Sequence, residues 1–149
     1  MAVKLGVALG CDVTVITGSE SKRADALALG AHRVLLSSDK ESVAAAASGL
    51  DLIIDTIPVA HEFETMLSLL DVEGTLVLVG AIAQMPGYHS RSLLRGRRSL
   101  TASPIGGLAE TQALLDFCAE KGVLPDCEMI PMAACCRGWR RSTRRSCAT

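Results

Sequence analysis

A doubly wound α/β fold on a parallel sheet is the expectation for this chain, and three observations carry it. Short β-branched apolar runs alternate with segments of helical periodicity, the pattern of parallel strands joined by crossover helices. Hydrophobic residues make up 49% of the chain and aromatic residues only 3%, so the core must be assembled from Ala, Val, Leu and Ile. Successive predicted strands end in small or hydroxylated residues, as suits an open parallel sheet whose ligand lies outside the carboxyl ends of its strands.

Met1–Leu9 has apolar residues at helical spacing and ends at Gly10, a residue suited to the left-handed conformation that closes a helix. No capping residue precedes it, so this helix reads as already under way, with its natural start expected upstream of Met1. Asp12–Thr17 is a strand whose β-branched Val13, Val15 and Ile16 suit burial on both faces. Ser19 is expected to cap the next helix, Glu20–Leu29, by accepting a backbone N–H of its first turn, and Gly30 closes that helix. A short strand follows at Arg33–Leu36. Ser37, Ser38 and Asp39 offer an N-cap to the Ala-rich helix Lys40–Ser48, which Gly49 stops.

Asp51–Asp55, reading DLIID, is a buried strand whose flanking aspartates cap or turn it, and Thr56 with Pro58 turns the chain toward a helix at His61–Leu70. Gly74–Val79 is a further strand ending in Gly80, Ser99–Ala102 is the last strand, and Leu108–Lys121 is a helix with Gly122 at its end. Gln84–Arg98 is a loop with one short helix at Ser90–Leu94. Its Arg91, Arg95, Arg97 and Arg98 read as a solvated basic face, or else as a holder for an anion. The domain is expected to span residues 1–132. Residues 133–149 read as an irregular basic tail, with five Arg and no acid between Arg137 and Thr149.

Several function classes are excluded at this stage. A formal net charge of −1 argues against nucleic acid as a partner. No apolar run approaches a membrane span, and the N-terminus lacks a basic region followed by an apolar segment and cleavage site, so a cytoplasmic protein is expected. Cys11, Cys118, Cys127, Cys135, Cys136 and Cys147 form no CxxC pair and no zinc-type cluster, which points to reduced thiols. His32, His61 and His89 are isolated and read as surface or packing residues. With no GxSxG, HExxH or Walker loop in the chain, neither a nucleophile nor a metal-ligand set is assigned.

The strand ends are Thr17, Gly18 and Ser19; Thr56 and Ile57; Gly80 and Ala81; and Ser103 to Ile105. The first is the most informative, because Lys22 and Arg23 stand one turn beyond it. In dinucleotide-binding folds an acidic residue here binds the ribose 2′-OH, whereas basic or small polar groups admit a 2′-phosphate. No carboxylate stands at residues 17–19, so NADP(H) is favoured over NAD(H), with Glu20 the nearby acid that works against the choice. The plain alternative is a capped surface helix with solvated cations, since Gly, Ser and Thr are common wherever strands end.

The segments MAVKLGVALGCDVTVIT, SKRADALALGA, DLIIDT, GTLVLVG, GRRSLTASPIGG and AETQALLDFCAEKG together resemble the cofactor domain of medium-chain, zinc-dependent alcohol dehydrogenases, nearest to the cinnamyl alcohol dehydrogenase group. The resemblance covers about residues 1 to 130, and its most specific part is IGGLAETQALLDFCAEKG. It implies a Rossmann-like fold. It further implies that Thr17, Gly18, Ser19 and Lys22 hold the 2′-phosphate of NADP(H), with Arg23 nearby, and that Thr56, Gly80, Ser103 and Ile105 line the nicotinamide half. A small alcohol or aldehyde as substrate, a homodimer, and zinc held by ligands upstream of this chain are implied too.

The chain departs from the family at both ends. The first strand and the GxGxxG turn that offers helix-N-terminal amides to a pyrophosphate would precede Met1, so the expectation is a fold truncated at its first strand. A DVRYRF-like run would follow Met132, and the Arg- and Cys-rich tail in its place reads as frame-shifted or disordered, with a real basic arm as the alternative. Alone, the chain is expected to be inactive and to have its sheet cut where strand one would stand. The competing class is a non-catalytic nucleotide-binding or subunit-interaction module.

Overall fold

The structure, a computed structural model, describes residues 1–81, 84–85, 87–127, 129 and 131–132. The tail at 133–149, Ile82 and Ala83, Pro86 of the arginine-rich loop, Glu128 and Ile130 lie outside the described residues. Two compact units divide the described chain. One holds residues 1–36 with the segment from Leu114 onward, and the other holds Ser37–Ala113.

In the first unit, α1 (Ala2–Ala8) leads into β1 (Thr14–Thr17), a 3-10 turn at Glu20–Lys22, α2 (Arg23–Ala28) and β2 (Arg33–Leu36). β1 and β2 pair in parallel, with Thr14 opposite Arg33 and Thr17 opposite Leu36. A right-handed crossover through a helix is the ordinary way to join two such strands, and Gly30, at φ +101°, makes the turn out of α2 that a residue with a Cβ resists. The buried apolar residues of this unit are few and small, Ala26, Ala31, Leu35 and Val123.

The second unit runs α3 (Lys40–Ala45), β3 (Leu50–Asp55), α4 (Phe63–Leu69), β4 (Leu70–Leu78), α5 (Ser90–Leu94) and β5 (Ser99–Ala102). Its three strands form one parallel sheet in the order β3-β4-β5. Here the core is larger: Phe63, Leu67, Leu69, Leu70 and Leu76 are all below 2% exposed, each contributing about 1.5–3 kcal/mol by burial. The boundary between the units falls within the last helix, α6 (Leu108–Lys121), at Leu114.

The predicted elements are all present, and their strands pair as two parallel sheets, β1-β2 and β3-β4-β5. The differences are local. Asp39 caps α3, its Oδ1 accepting from the backbone N–H groups of Glu41 and Ser42 at 3.1 and 3.2 Å, and α3 stops at Ala45 instead of Ser48. The left-handed residue after it is Ser48, at φ +54°, not Gly49. β4 starts at Leu70, four residues before the predicted strand, because Leu70 pairs with Leu50 ahead of a register shift. Ser19 caps nothing: its hydroxyl bonds the Ser21 hydroxyl at 2.7 Å, because a 3-10 turn, not an α-helical one, follows it.

Candidate functional site

The carboxyl end of β1 is a tight polar corner. Thr17 Oγ1 accepts the Ser19 N–H at 3.3 Å, so the hydroxyl at the strand end shapes the turn through Gly18, and Gly18 itself is exposed. The 3-10 turn then presents two cations with different fates. Arg23 donates through Nε to Glu20 Oε1 at 2.6 Å and through Nη2 to Glu20 Oε2 at 3.3 Å, and Nη1 reaches the Val34 carbonyl at 3.4 Å. The hydrogen bonding to Glu20, reinforced by that carboxylate's charge, holds the Arg23 guanidinium above its ordinary pKa. Lys22 is exposed, and among the described residues no hydrogen bond or ion pair engages its ammonium. Among the described residues, Lys22 is thus left without a partner next to Thr17–Ser19 in the chain, while the Glu20 carboxylate is taken by Arg23.

The second unit holds the other expected residues. The carbonyl of Asp55, the last residue of β3, accepts both the Val79 N–H at 2.9 Å and the Gly80 N–H at 3.1 Å, which ties the ends of β3 and β4 together. Asp55 Oδ1 accepts the Ile57 N–H at 2.9 Å, an Asx turn that bends the chain at Thr56. Gly80 then sits so close to this bend that a Cβ would stand 2.7 Å from the Ile57 carbonyl carbon and 2.9 Å from that of Thr56. Only glycine allows this approach. Ser103, after β5, donates its backbone N–H to Leu78 at 3.0 Å, which sets it beside the end of β4. Ile105 is 97% exposed, and the Gly107 N–H beyond it is taken by Glu110 Oε2 at 2.7 Å. Thr17, Gly18, Ser19, Lys22 and Arg23 are thus gathered in one unit, and Thr56, Gly80 and Ser103 at adjacent strand ends of the other.

Three features were not legible as contacts in the sequence. His61 is not isolated: its Nε2 lies 3.0 Å from Asp55 Oδ2, with side chains 15% and 3% exposed. Arg98 is neither a solvated cation nor an anion holder. It donates to the carbonyls of Leu70, Asp71 and Ser92 and to the Ser48 hydroxyl, while Arg97 pairs with Glu73. Glu64 on α4 accepts the His89 N–H and the Ser92 hydroxyl, and these two bonds, the backbone one first, hold its carboxyl below the ordinary range. The only signal for Asp55 was its place at a strand end two residues before Ile57; the others, apart from Arg98 with Ser92 six positions away, depend on residues more than twenty positions apart.

Zinc has no place among the described residues, where no group of three or more His, Cys, Asp or Glu side chains could hold a metal ion. Within the first unit, the exposed ammonium of Lys22, with no partner among the described residues, suits a phosphate group.

A parallel sheet with crossover helices and small residues at its strand ends defines a Rossmann-like cofactor domain, and residues 1–120 match the family described as zinc-binding dehydrogenase. The chain belongs to that family. Within it, the chain is 47% identical over 133 residues to a probable cinnamyl alcohol dehydrogenase of Nicotiana tabacum and 48% identical to cinnamyl alcohol dehydrogenase 1 of Capsicum annuum. Each comparison covers 89% of this chain and 37% of the relative, so the chain spans little more than a third of the length of these relatives. Among solved structures, a cinnamyl alcohol dehydrogenase of Sorghum bicolor superposes with a TM-score of 0.91 at 36% identity, over 98% of this chain and 42% of that one. The CAD protein of Helicobacter pylori, solved with NADP(H), gives a TM-score of 0.81 at 30% identity, over the same shares of the two chains.

Proposed function

We propose that this chain is the NADP(H)-binding part of a zinc-type alcohol dehydrogenase that interconverts small alcohols and aldehydes, and that it is inactive by itself. The observation that carries the cofactor choice is the pairing at the β1 corner. Arg23 occupies Glu20, the nearby acid that works against the choice, and Lys22 remains exposed close to Thr17–Ser19 in the chain. When bound, NADPH would give a hydride to an aldehyde and NADP+ would take one from an alcohol. The chain's own residues bind and orient: Lys22 and the Thr17, Gly18 and Ser19 backbone take the 2′-phosphate, Arg23 holds Glu20 away from it, and Thr56, Gly80, Ser103 and Ile105 line the nicotinamide half. The names of the tobacco, pepper and sorghum relatives support the reaction class, and the Helicobacter pylori complex supports the cofactor.

A cytoplasmic setting is part of this reading. Cys11, Cys118 and Cys127 are free thiols, as in a reducing compartment, and no helix among the described residues is long and apolar enough to cross a membrane. Self-association, a homodimer by the resemblance, is favoured by Leu52 and Ile54 of β3, which are 55% and 52% exposed and suit an interface. The same residues would serve a non-catalytic interaction module. Calorimetric titration of the chain with NADP(H) and NAD(H) decides the cofactor question. Tighter binding of NADP(H) is expected, and equal affinities would overturn the choice.

A further inference from the structure

Asp55 is a buried charged residue, 5% exposed, and its two carboxylate oxygens do different work. Oδ1 accepts the Ile57 N–H at 2.9 Å. Oδ2 lies 3.0 Å from His61 Nε2, close but off the line of the ring N–H, so this is a contact and not yet an aligned hydrogen bond. The other ring nitrogen, Nδ1, lies 2.9 Å from the Val59 carbonyl oxygen. A carbonyl can only accept, so Nδ1 carries a proton. A lone pair on Nε2 would then face a carboxylate oxygen at 3.0 Å, and that contact is attractive only when the pair holds a further proton between them. The ring also rests on Phe63, with centroids 5.1 Å apart.

The consequence is a closed loop. The Asp55–His61 contact spans a turn whose members Thr56, Ile57, Pro58, Val59 and Ala60 are all exposed. We propose that Asp55 and His61 form a latch that fixes the Thr56–Ala60 turn against Gly80 and so positions Thr56 and Ile57 for the nicotinamide half of the cofactor. Both are positioning residues and neither touches the cofactor. The proposal rests on the NADP(H) reading above for its functional half, and on the turn's geometry alone for its structural half.

Two substitutions separate a latch from simple packing. His61→Phe keeps an aromatic ring against Phe63 and removes both nitrogens. Asp55→Asn removes the charge but keeps the bonding pattern, since its amide oxygen can accept from Ile57 while its NH2 donates to Nε2 of a ring protonated at Nδ1. In the full chain, amide hydrogen exchange at Ile57 should speed up by about tenfold or more in His61→Phe and stay near the parent rate in Asp55→Asn. NADPH affinity should fall by about tenfold in His61→Phe and recover in Asp55→Asn, while 2′,5′-ADP, which carries only the adenosine half, binds all three proteins alike. Unchanged exchange at Ile57 in His61→Phe would overturn the latch. Faster exchange with unchanged NADPH affinity would overturn its positioning role. A parent chain that binds neither probe would overturn the cofactor reading, and exchange at Ile57 then decides the latch by itself.

Discussion

A Cβ on Gly80 would stand 2.7 Å from the carbonyl carbon of Ile57, two residues from different strand ends held in contact because the Asp55 carbonyl accepts from both Val79 and Gly80. The obstacle is backbone, which cannot rotate away as a side chain can. Gly80→Ala should therefore destabilise the chain by about 1–3 kcal/mol and displace the Thr56–Ile57 bend. Urea denaturation measures the first effect and NADPH affinity the second; a variant unchanged in both would show that the approach is looser than described.

Lys22→Ala tests the corner after β1. The ammonium is exposed and engages no partner among the described residues, so its removal should leave stability within experimental error. NADP(H) binding should weaken by about 1.5–3 kcal/mol, the worth of one charge-assisted contact, and NAD(H) binding should not change. An equal loss for both cofactors, by calorimetry, would place Lys22 away from the 2′-phosphate.

Arg98 is a structural cation. Its planar fork reaches the Asp71 carbonyl at 3.4 Å, the Ser92 carbonyl at 3.2 Å and the Ser48 hydroxyl at 3.3 Å, besides the Leu70 carbonyl. Lysine offers a point charge without that geometry. Arg98→Lys should cost about 1–3 kcal/mol of stability, read as a lower denaturation midpoint, whereas Arg95→Lys, on an exposed residue, should cost almost nothing. Equal effects would mean that the fork contributes no more than its charge.

The pH dependence follows from Glu64. Its carboxyl is held below the ordinary range by the His89 N–H first and the Ser92 hydroxyl second, so the folded state favours the ionised form. The stability it contributes is complete above the ordinary carboxylate range and is lost as pH falls through the depressed folded-state value. Asp39, depressed by the Ser42 hydroxyl and the amides it caps, acts in the same direction. Glu64→Gln should flatten the acid limb of a stability-versus-pH curve and leave the neutral region's slope alone. An unaltered acid limb would remove Glu64 from this account.

Periodicity and punctuation in the chain were enough for element order and parallel pairing, because these depend on residues near one another in sequence, but not for the β1 corner, where a 3-10 turn replaces the expected Ser19-capped helix start. Apolar spacing sets which face of α4 is buried, and Asp39 caps the residues next to it. Tertiary structure alone decided what the charged side chains do. Arg98 reaches Leu70 across 28 positions and Glu64 reaches Ser92 across 28, and which carbonyl or hydroxyl stands opposite is set by strand register and helix packing. The same holds at the candidate site. Asp55 announced a turn by its position, but that His61 returns to meet it, and that Gly80 is forced by Ile57, depends on how two strand ends close on each other.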